Sequence, residues 1–433
     1  MIYYFKQAWN LIKQEKLFSS IYIIGTGLSI TIVMVLSIVL YIKFANIYPE
    51  TNRDRMLVTN NGVVKDTIEG GMSSSALSLN FIEMCFRPLS NVEAMSAVYN
   101  SYEEYYVQPA GTKEQLPITV KFVDIGFWKV FSFNFLKGSQ FTEADFQSGI
   151  RTAVISEYMA KRLFGTIDVI GNYVSLNFMQ YRICGVAKDV SSVTLSTYAH
   201  LWIPYTVLPD YNDSFDDENL LGNFSLYILA PSKDQVAKIQ NEAYENIKKI
   251  NNTLRDGLLI TLSGQPDKYR ESIFREGNFE FDFNKIKWQY FLVFLFLLLV
   301  PGISLSGMVD SRMERRISEM GIRRTFGAPV KTLMLQIFTE NFLFTIIGGL
   351  IGLLFSYLLI ILSADWIMYV DHQHFADLLP EGETTVISPT MLINIPVFLI
   401  ALGVCFLLNS LTTLIPAWRS SKKEITKQLK IES

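Results

Sequence analysis

Few residues in this chain have the chemical type and setting to do chemistry, and Glu340 is the first. It is the one charge inside an apolar stretch running from about Leu333 to Ala364. An acid in such a stretch is a functional candidate, because an unpaired charge in hydrocarbon is costly. Gln336 lies one helical turn earlier, on the same face. Two chemistries fit the pair: a proton relay, or a structural hydrogen bond near the membrane interface. The second is preferred, since no other intramembrane titratable group accompanies Glu340. Asp210, Asp213, Asp216, Asp217 and Glu218 cluster, but without the spacing of a calcium-binding hand, so they read as a solvated acidic turn. The cysteines (Cys85, Cys184, Cys405) and histidines (His200, His372, His374) supply no metal centre. Cys85 and Cys184 either pair in an oxidising compartment or stay reduced in a core. Gly is nowhere followed directly by Lys, so the phosphate loop Gly-x-x-x-x-Gly-Lys is missing. No catalytic, cofactor-binding or metal-binding residue is assigned.

The elements that would carry these residues are mostly apolar. Of 433 residues, 50% are hydrophobic and 18% charged, with a net charge of −3. That balance fits membrane spans plus one sizeable soluble region, and it argues against a nucleic-acid binder, which would be basic. Four stretches are long and apolar enough to cross a bilayer: 17–42, 288–309, 333–364 and 391–416. The first reads as a retained anchor, because no small-residue cleavage site follows it. Lys and Arg gather before span one, in 310–332 and in the tail 417–433, while 365–390 has acids only. By the positive-inside rule both termini and the middle loop are cytoplasmic, and residues 43–287 and 365–390 are outside.

The region 43–287 holds 24 basic and 29 acidic residues and is long enough for a core of its own. Alternating runs at Leu116–Asp124, Arg151–Ile155, Tyr173–Phe178, Tyr181–Val186 and Phe224–Ala230 predict strands. Helical spacing appears at Leu77–Phe86, Ser156–Phe164 and Lys233–Ile250, with Ser156 and Ser232 as expected N-caps of the last two. The irregular mixture predicts an α+β domain, whose length suits two lobes.

Three further patterns bear on mechanism. Residues 1–16 place Phe5, Ala8, Trp9 and Ile12 on one face, as an interfacial helix lying on membrane lipid would. In the middle loop, Gly321 interrupts the helical face, and Gly327 with Pro329 ends or bends the helix before span three. Small residues dot the spans: Gly25, Gly27 and Ser29 in span one, Gly348, Gly349 and Gly352 in span three. Gly348 and Gly352 have the spacing that lets helices approach closely. Packing within the chain is preferred over a dimer seam for them. Pro301-Gly302 in span two reads as either a hinge or a static kink.

The run Glu319, Met320, Gly321, Ile322, Arg323, Arg324, Thr325, Phe326, Gly327, Ala328 resembles the loop of ABC transporter permeases of the MacB/FtsX-like (type VII, mechanotransmission) superfamily. Thr325 replaces the more usual Ala. The ending Pro416-Ala417-Trp418-Arg419 is similar to the family's, and so is the layout of one span, a large domain and three spans. Val123-Asp124-Ile125-Gly126-Phe127-Trp128, Leu136-Lys137-Gly138 and Gly185-Val186-Ala187-Lys188-Asp189 resemble the MacB-type periplasmic core.

The resemblance implies four transmembrane helices with a large α+β periplasmic domain between the first two, in a bacterial inner membrane. It implies that Glu319, Met320, Gly321, Ile322, Arg323, Arg324, Phe326 and Gly327 dock on a separate cytoplasmic ATPase, which would carry ATP and Mg. It also implies a dimer with a second copy or a homologous permease, and a periplasmic adaptor as an optional partner. Lipoprotein release, peptide or drug efflux and activation of cell-wall hydrolases all use this framework. The rivals are a membrane-anchored receptor and a secondary transporter driven through Glu340. The receptor predicts a cytoplasmic signalling domain, and the transporter predicts inverted repeats; neither is found.

Overall fold

The computed structural model describes residues 16–108, 115–216, 218–275, 277–279, 282–293, 295–296, 326–327, 329–371 and 395–421. The chain divides into a helical unit (1–41, 284–364, 389–433) and an α+β unit (42–283, 365–388).

In chain order the elements are α1 (Lys16–Phe44), β1 (Met56–Thr59), β2 (Gly62–Asp66), β3 (Met72–Leu77), α2 (Leu79–Cys85), β4 (Ala94–Tyr99), β5 (Tyr105–Gln108), β6 (Leu116–Ile118) and β7 (Val120–Val123). Then come α3 (Phe127–Val130), β8 (Phe135–Gly138), α4 (Glu143–Gln147), β9 (Thr152–Ser156), α5 (Glu157–Phe164), β10 (Tyr173–Leu176), β11 (Met179–Ala187) and β12 (Leu201–Pro204). The remainder are β13 (Leu221–Gly222), β14 (Phe224–Leu229), α6 (Val236–Asn251), β15 (Leu258–Thr261), β16 (Asp267–Lys268), α7 (Tyr269–Ser272), α8 (Val330–Asp371) and α9 (Ile395–Ser421).

The sheet of the α+β unit runs β15-β2-β3-β14-β4-β7-β12-β9-β11-β10-β5-β6, with β1 attached at β14, β16 at β1, β13 at β3 and β8 at β11. It falls into two halves. One is built from residues 56–99 and 221–268, and the other, from 105–204, is inserted between them in sequence. They meet where β4 pairs with β7, at Val98↔Val123 and Tyr99↔Phe122. One hydrophobic core runs through both halves, with Phe81, Phe122, Phe127, Trp202 and Phe224 among its fully buried side chains. β9, β12 and β14 are buried along their whole length, so their apolar runs are nearly continuous, as sheets covered on both faces require. β9 and β11 run parallel, joined by a crossover through α5, as do β7 and β12; the other pairs are antiparallel.

Local signals explain several helix starts. Ser78 accepts the Phe81 amide at 3.0 Å, and Ser156 accepts that of Met159 at 3.2 Å. Gly165 closes α5 in the left-handed region, at φ 72°. Thr142 and Asp145 form a reciprocal capping box on α4. The expected cap at Ser232 is corrected. A 3₁₀ turn, Lys233–Gln235, precedes α6, and the Ser232 side chain makes no capping bond to it.

In the helical unit, two helices among the described residues are long and apolar enough to cross a membrane, Ser19–Phe44 and Met334–Ser363; a shorter apolar stretch covers Phe398–Leu407. Of the expected second span, 288–293 and 295–296 are helical, and the rest lies outside the described residues. α8 kinks at Ser363, where φ is −119° and ψ 16°.

Candidate functional site

The helical unit is organised around a seam between α1 and α8. The buried stripe of α8 holds Ile337, Glu340, Asn341, Phe344, Thr345, Gly348, Gly349, Gly352, Ser356 and Ile360, at spacings of three and four. Its outer face carries Leu350, Leu354, Phe355, Leu358 and Leu362. Small and polar groups inside, large apolar groups outside, is the arrangement expected where lipid is the solvent. The buried stripe of α1 includes Ser19, Tyr22, Thr26, Ser29, Ile30 and Met34.

Glycine brings the two backbones into contact. A Cβ on Gly348 would stand 2.9 Å from the Ile23 carbonyl oxygen, and one on Gly27 would stand 3.1 Å from that of Gly348. Gly352 faces the Gly27 carbonyl more closely still, at 2.5 Å from its would-be Cβ. The Thr31 hydroxyl donates to Gly27 O at 2.8 Å and to Gly352 O at 3.1 Å, which bridges the helices. Gly348 and Gly352 thus pack within the chain. Ser29 donates to Gly25 O, one turn back on its own helix. Tyr22 stacks tilted on Phe344 at 5.1 Å, and its hydroxyl faces Asn341 Oδ1 at 3.5 Å. Gly349 faces Leu402 of α9, and Phe338 and Phe342 meet Phe406 edge-on.

Glu340 is buried in this unit and accepts a hydrogen bond from Gln336 Nε2 at 3.1 Å. Phe326 is exposed, Gly327 takes φ +88°, and α8 begins just after Pro329. Glu319, Met320, Gly321, Ile322, Arg323 and Arg324 lie outside the described residues, as do Pro301, Gly302 and all of the expected helix 1–16 except Lys16. Tyr22, Thr31 and Asn341 were missed by sequence reasoning. Single polar residues in an apolar run carry no periodic signal until their partner helix is known.

The motif residues of the α+β unit have structural work. Asp124 accepts the Ser96 hydroxyl at 2.7 Å, the Ala97 amide at 2.9 Å and the Phe127 amide at 3.0 Å. It thereby ties β4 to the start of α3. Burial pushes its carboxyl up to about 6, against those three donors. Gly126 lies under the Met95 carbonyl, and Gly138 and Gly185 let β8 and β11 cross at the Cys184 and Ser139 carbonyls. Asp189 accepts the Tyr158 amide at 2.7 Å, in the first turn of α5. In the acidic cluster, Asp216 accepts the Leu220 and Leu221 amides, which closes a turn. Among the described residues no group of His, Cys, Asp and Glu is placed to hold a metal.

All three cysteines are free of disulfides. Cys85 on α2 faces the Ala243 carbonyl of α6, and Cys184 on β11 faces that of Ala153. Burial pushes both thiols up to about 12. Maleimide at pH 8 is therefore expected to label Cys85 and Cys184 roughly a thousandfold more slowly than an ordinary thiol of pKa about 8.5. Mass spectrometry of native and denatured protein checks this; fast native labelling of either would contradict their burial.

The comparisons with known proteins decide what these parts belong to. A family model described as a MacB-like periplasmic core domain matches residues 19–245, more than half of the chain. A second, described as FtsX-like permease C-terminal, matches 291–425. The chain belongs to the MacB/FtsX-like ABC transporter permeases. The uncharacterized ABC transporter permease YknZ of Bacillus subtilis (strain 168) is 25% identical over 288 residues, 66% of this chain and 67% of that protein. The pyoverdine export ATP-binding/permease protein PvdT of Pseudomonas savastanoi pv. phaseolicola is 25% identical over 240 residues, 54% of this chain and 34% of that protein. The chain thus spans about a third of that relative. The crystallised extracellular domain of YknZ aligns with 47% of this chain and 100% of its own, at TM-score 0.33 and 19% identity. In this MacB/FtsX-like permease, Asp124, Gly126, Gly138 and Gly185 fall in the core-domain match. The loop 319–327 and the α8 glycines fall in the FtsX-like match.

Proposed function

We propose that this chain is the permease subunit of an ABC transporter that couples ATP hydrolysis by a separate cytoplasmic ATPase to conformational change in its α+β domain. It is a multi-pass protein of the bacterial inner membrane, with both termini cytoplasmic and the α+β domain periplasmic. It works as a dimer with a second copy or a homologous permease. ATP and Mg sit on the ATPase, and an adaptor in the periplasm is an optional partner. Closure of the ATPases moves the loop 310–332, and the spans act as levers on the external domain. The cargo is a peptide, drug or lipoprotein-type substrate that need not pass through the helices.

The observation that carries this reading is the union on one chain of a MacB-like core domain and an FtsX-like permease region. The charge pattern supports a cytoplasmic position for the loop Glu319–Gly327. A Gly and a cationic pair there suit close docking on a protein surface.

The test is an affinity pull-down from mild-detergent membranes, with membrane levels matched. The parent is expected to retain an ATP-binding subunit, and a variant with Gly321→Asp and Arg323→Glu to lose roughly tenfold or more of it, the scale of a charge reversed in an interface. Recovery of no ATPase with the parent, and none that restores activity on reconstitution, would move a membrane-anchored receptor ahead.

A further inference from the structure

Two of the charges that follow α1 are buried. Glu50 is fully buried and Arg53 is 3% exposed. The last three residues of α1, Ile42, Lys43 and Phe44, belong to the α+β unit, and so does every residue of the cluster described next.

A helix end leaves its final carbonyls without intrahelical partners and with partial negative charge. Arg53 Nη1 donates to Ile42 O at 2.6 Å, Ala45 O at 3.1 Å and Lys43 O at 3.4 Å. Its Nε and Nη2 both hold Glu50 Oε2 at 2.7 Å. Glu50 Oε1 accepts the Thr197 hydroxyl at 2.9 Å, and Oε2 accepts the Tyr269 hydroxyl. The Tyr269 ring lies against the guanidinium, 5.0 Å from its centroid. Desolvation works against the buried Arg53 charge, but Glu50 and Tyr269 hold its pKa above the usual value.

One arginine therefore joins the end of α1 to the segment before β12, through Thr197, and to α7, through Tyr269. The returning chain is fixed at the same place. Lys43 stands over the Phe274 ring at 5.3 Å, Phe44 packs on Phe274 at 5.6 Å, and Phe274 packs on Phe283 at 5.9 Å. A buried ion pair is weak support for stability, because apolar packing of the same volume does as well. What the guanidinium adds is direction. Its rigid fork fixes the carbonyls of the helix end and one carboxylate at once, so this end cannot turn or slide without breaking the cluster.

We propose that Arg53, oriented by Glu50 and Tyr269, is the positioning residue through which displacement of α1 is delivered to the α+β domain. The inference rests on the coupling function proposed above. It is tested with the full chain and its ATPase in lipid nanodiscs, by hydrogen–deuterium exchange with and without ATP plus vanadate. The parent is expected to change its exchange in the α+β domain on trapping. Arg53→Gln is expected to bind and hydrolyse ATP as the parent does, but to lose the exchange response of that domain roughly fivefold or more, the scale of a coupling free energy. Arg55→Gln is the control. Arg55 pairs with Glu93 and the Ala230 carbonyl, away from the helix end, and its removal leaves the response intact.

An Arg53→Gln response equal to the parent's overturns the proposal while leaving the coupling function in place. A parent that shows no response removes the coupling function itself, and this inference with it. Should Arg53→Gln fail to fold, Tyr269→Phe and Thr197→Val each remove one hydroxyl from Glu50. The response must then fall in both at unchanged melting temperature, and an unchanged response in both overturns the proposal.

Discussion

Gly126→Ala is expected to lower the melting temperature of the α+β domain sharply, by about 6–12 °C for a cost of about 3 kcal/mol in a domain of this size. The backbone there is ordinary right-handed helix, with φ −62°, so glycine's conformational freedom is not what the site uses. The requirement is space. A Cβ at this position would lie well inside 3.0 Å of the Met95 carbonyl oxygen and 3.2 Å from Asp124 Oδ1. Neither neighbour is the free end of a flexible side chain. Met95 is part of β4, paired with Ile228 of β14, and Asp124 is held by Ser96, Ala97 and Phe127. Relief would mean withdrawing α3 from β4. Phe127, Trp128 and Phe131 would go with it, and Phe127 and Phe131 are fully buried. Thermal unfolding of the purified full chain, followed by tryptophan fluorescence, checks this. Gly71→Ala is the control, because its nearest neighbour, the Asp66 Cβ, would be 3.9 Å away. Equal melting temperatures for the two variants would mean that α3 and β4 are not packed as described.

What could be read from the sequence was local. Ser156 announces α5 because a cap and its helix are adjacent, and the apolar run of β14 is visible because a strand buried on both faces needs no partner to be recognised. The spacing of Gly348 and Gly352 marked a close approach, since small residues one turn apart expose backbone whatever packs there. Partners far apart in the chain could not be read. Tyr269 lies 219 residues from Glu50, and nothing near either residue shows that Glu50 and Arg53 are buried. Strands β1 to β5 were not read from the sequence; they are ordered by pairing with β14, β10 and β15, distant in the chain. Ser232 shows the reverse error. The residue type was right for a cap, but the chain enters α6 through a 3₁₀ turn, so its hydroxyl is not where the amides open. The resemblance in the α+β domain rested on residues such as Asp124, Gly126 and Gly185. In the structure they hold the fold through hydrogen bonds and close backbone approach.

Gly352→Leu is expected to separate α1 from α8 and to cost about 3 kcal/mol, the upper end for overpacking. The first atoms a side chain would meet are the Gly27 carbonyl oxygen and the Ile30 Cβ, the latter at 3.1 Å. A carbonyl inside a helix cannot swing aside as a side chain can. The helices must part, and the Thr31 hydroxyl then loses Gly352 O while keeping Gly27 O. In lipid few terms hold such a seam. No solvent drives apolar helices together there, so close backbone packing and interhelical hydrogen bonds hold the seam. Gly348→Leu is expected to act the same way through Ile23 O and Thr26. The seam also bears on coupling. α8 begins directly after Gly327 and Pro329, at the end of the loop proposed to receive the ATPase stroke, and α1 leads to the residues held by Arg53. If α8 drives α1 through contacting backbones, a bulky residue at 352 should reduce ATP-dependent change in the α+β domain even where the chain still inserts and retains the ATPase proposed above. Thermal stability by fluorescence-detected size exclusion, set beside the nucleotide response, separates the two effects. Gly403→Leu on α9 is the control. Its Cβ would meet nothing within 4 Å, so its cost should stay within about 0.5 kcal/mol. A Gly352→Leu chain as stable as Gly403→Leu, with a full nucleotide response, would show that α1 and α8 do not touch through their glycines.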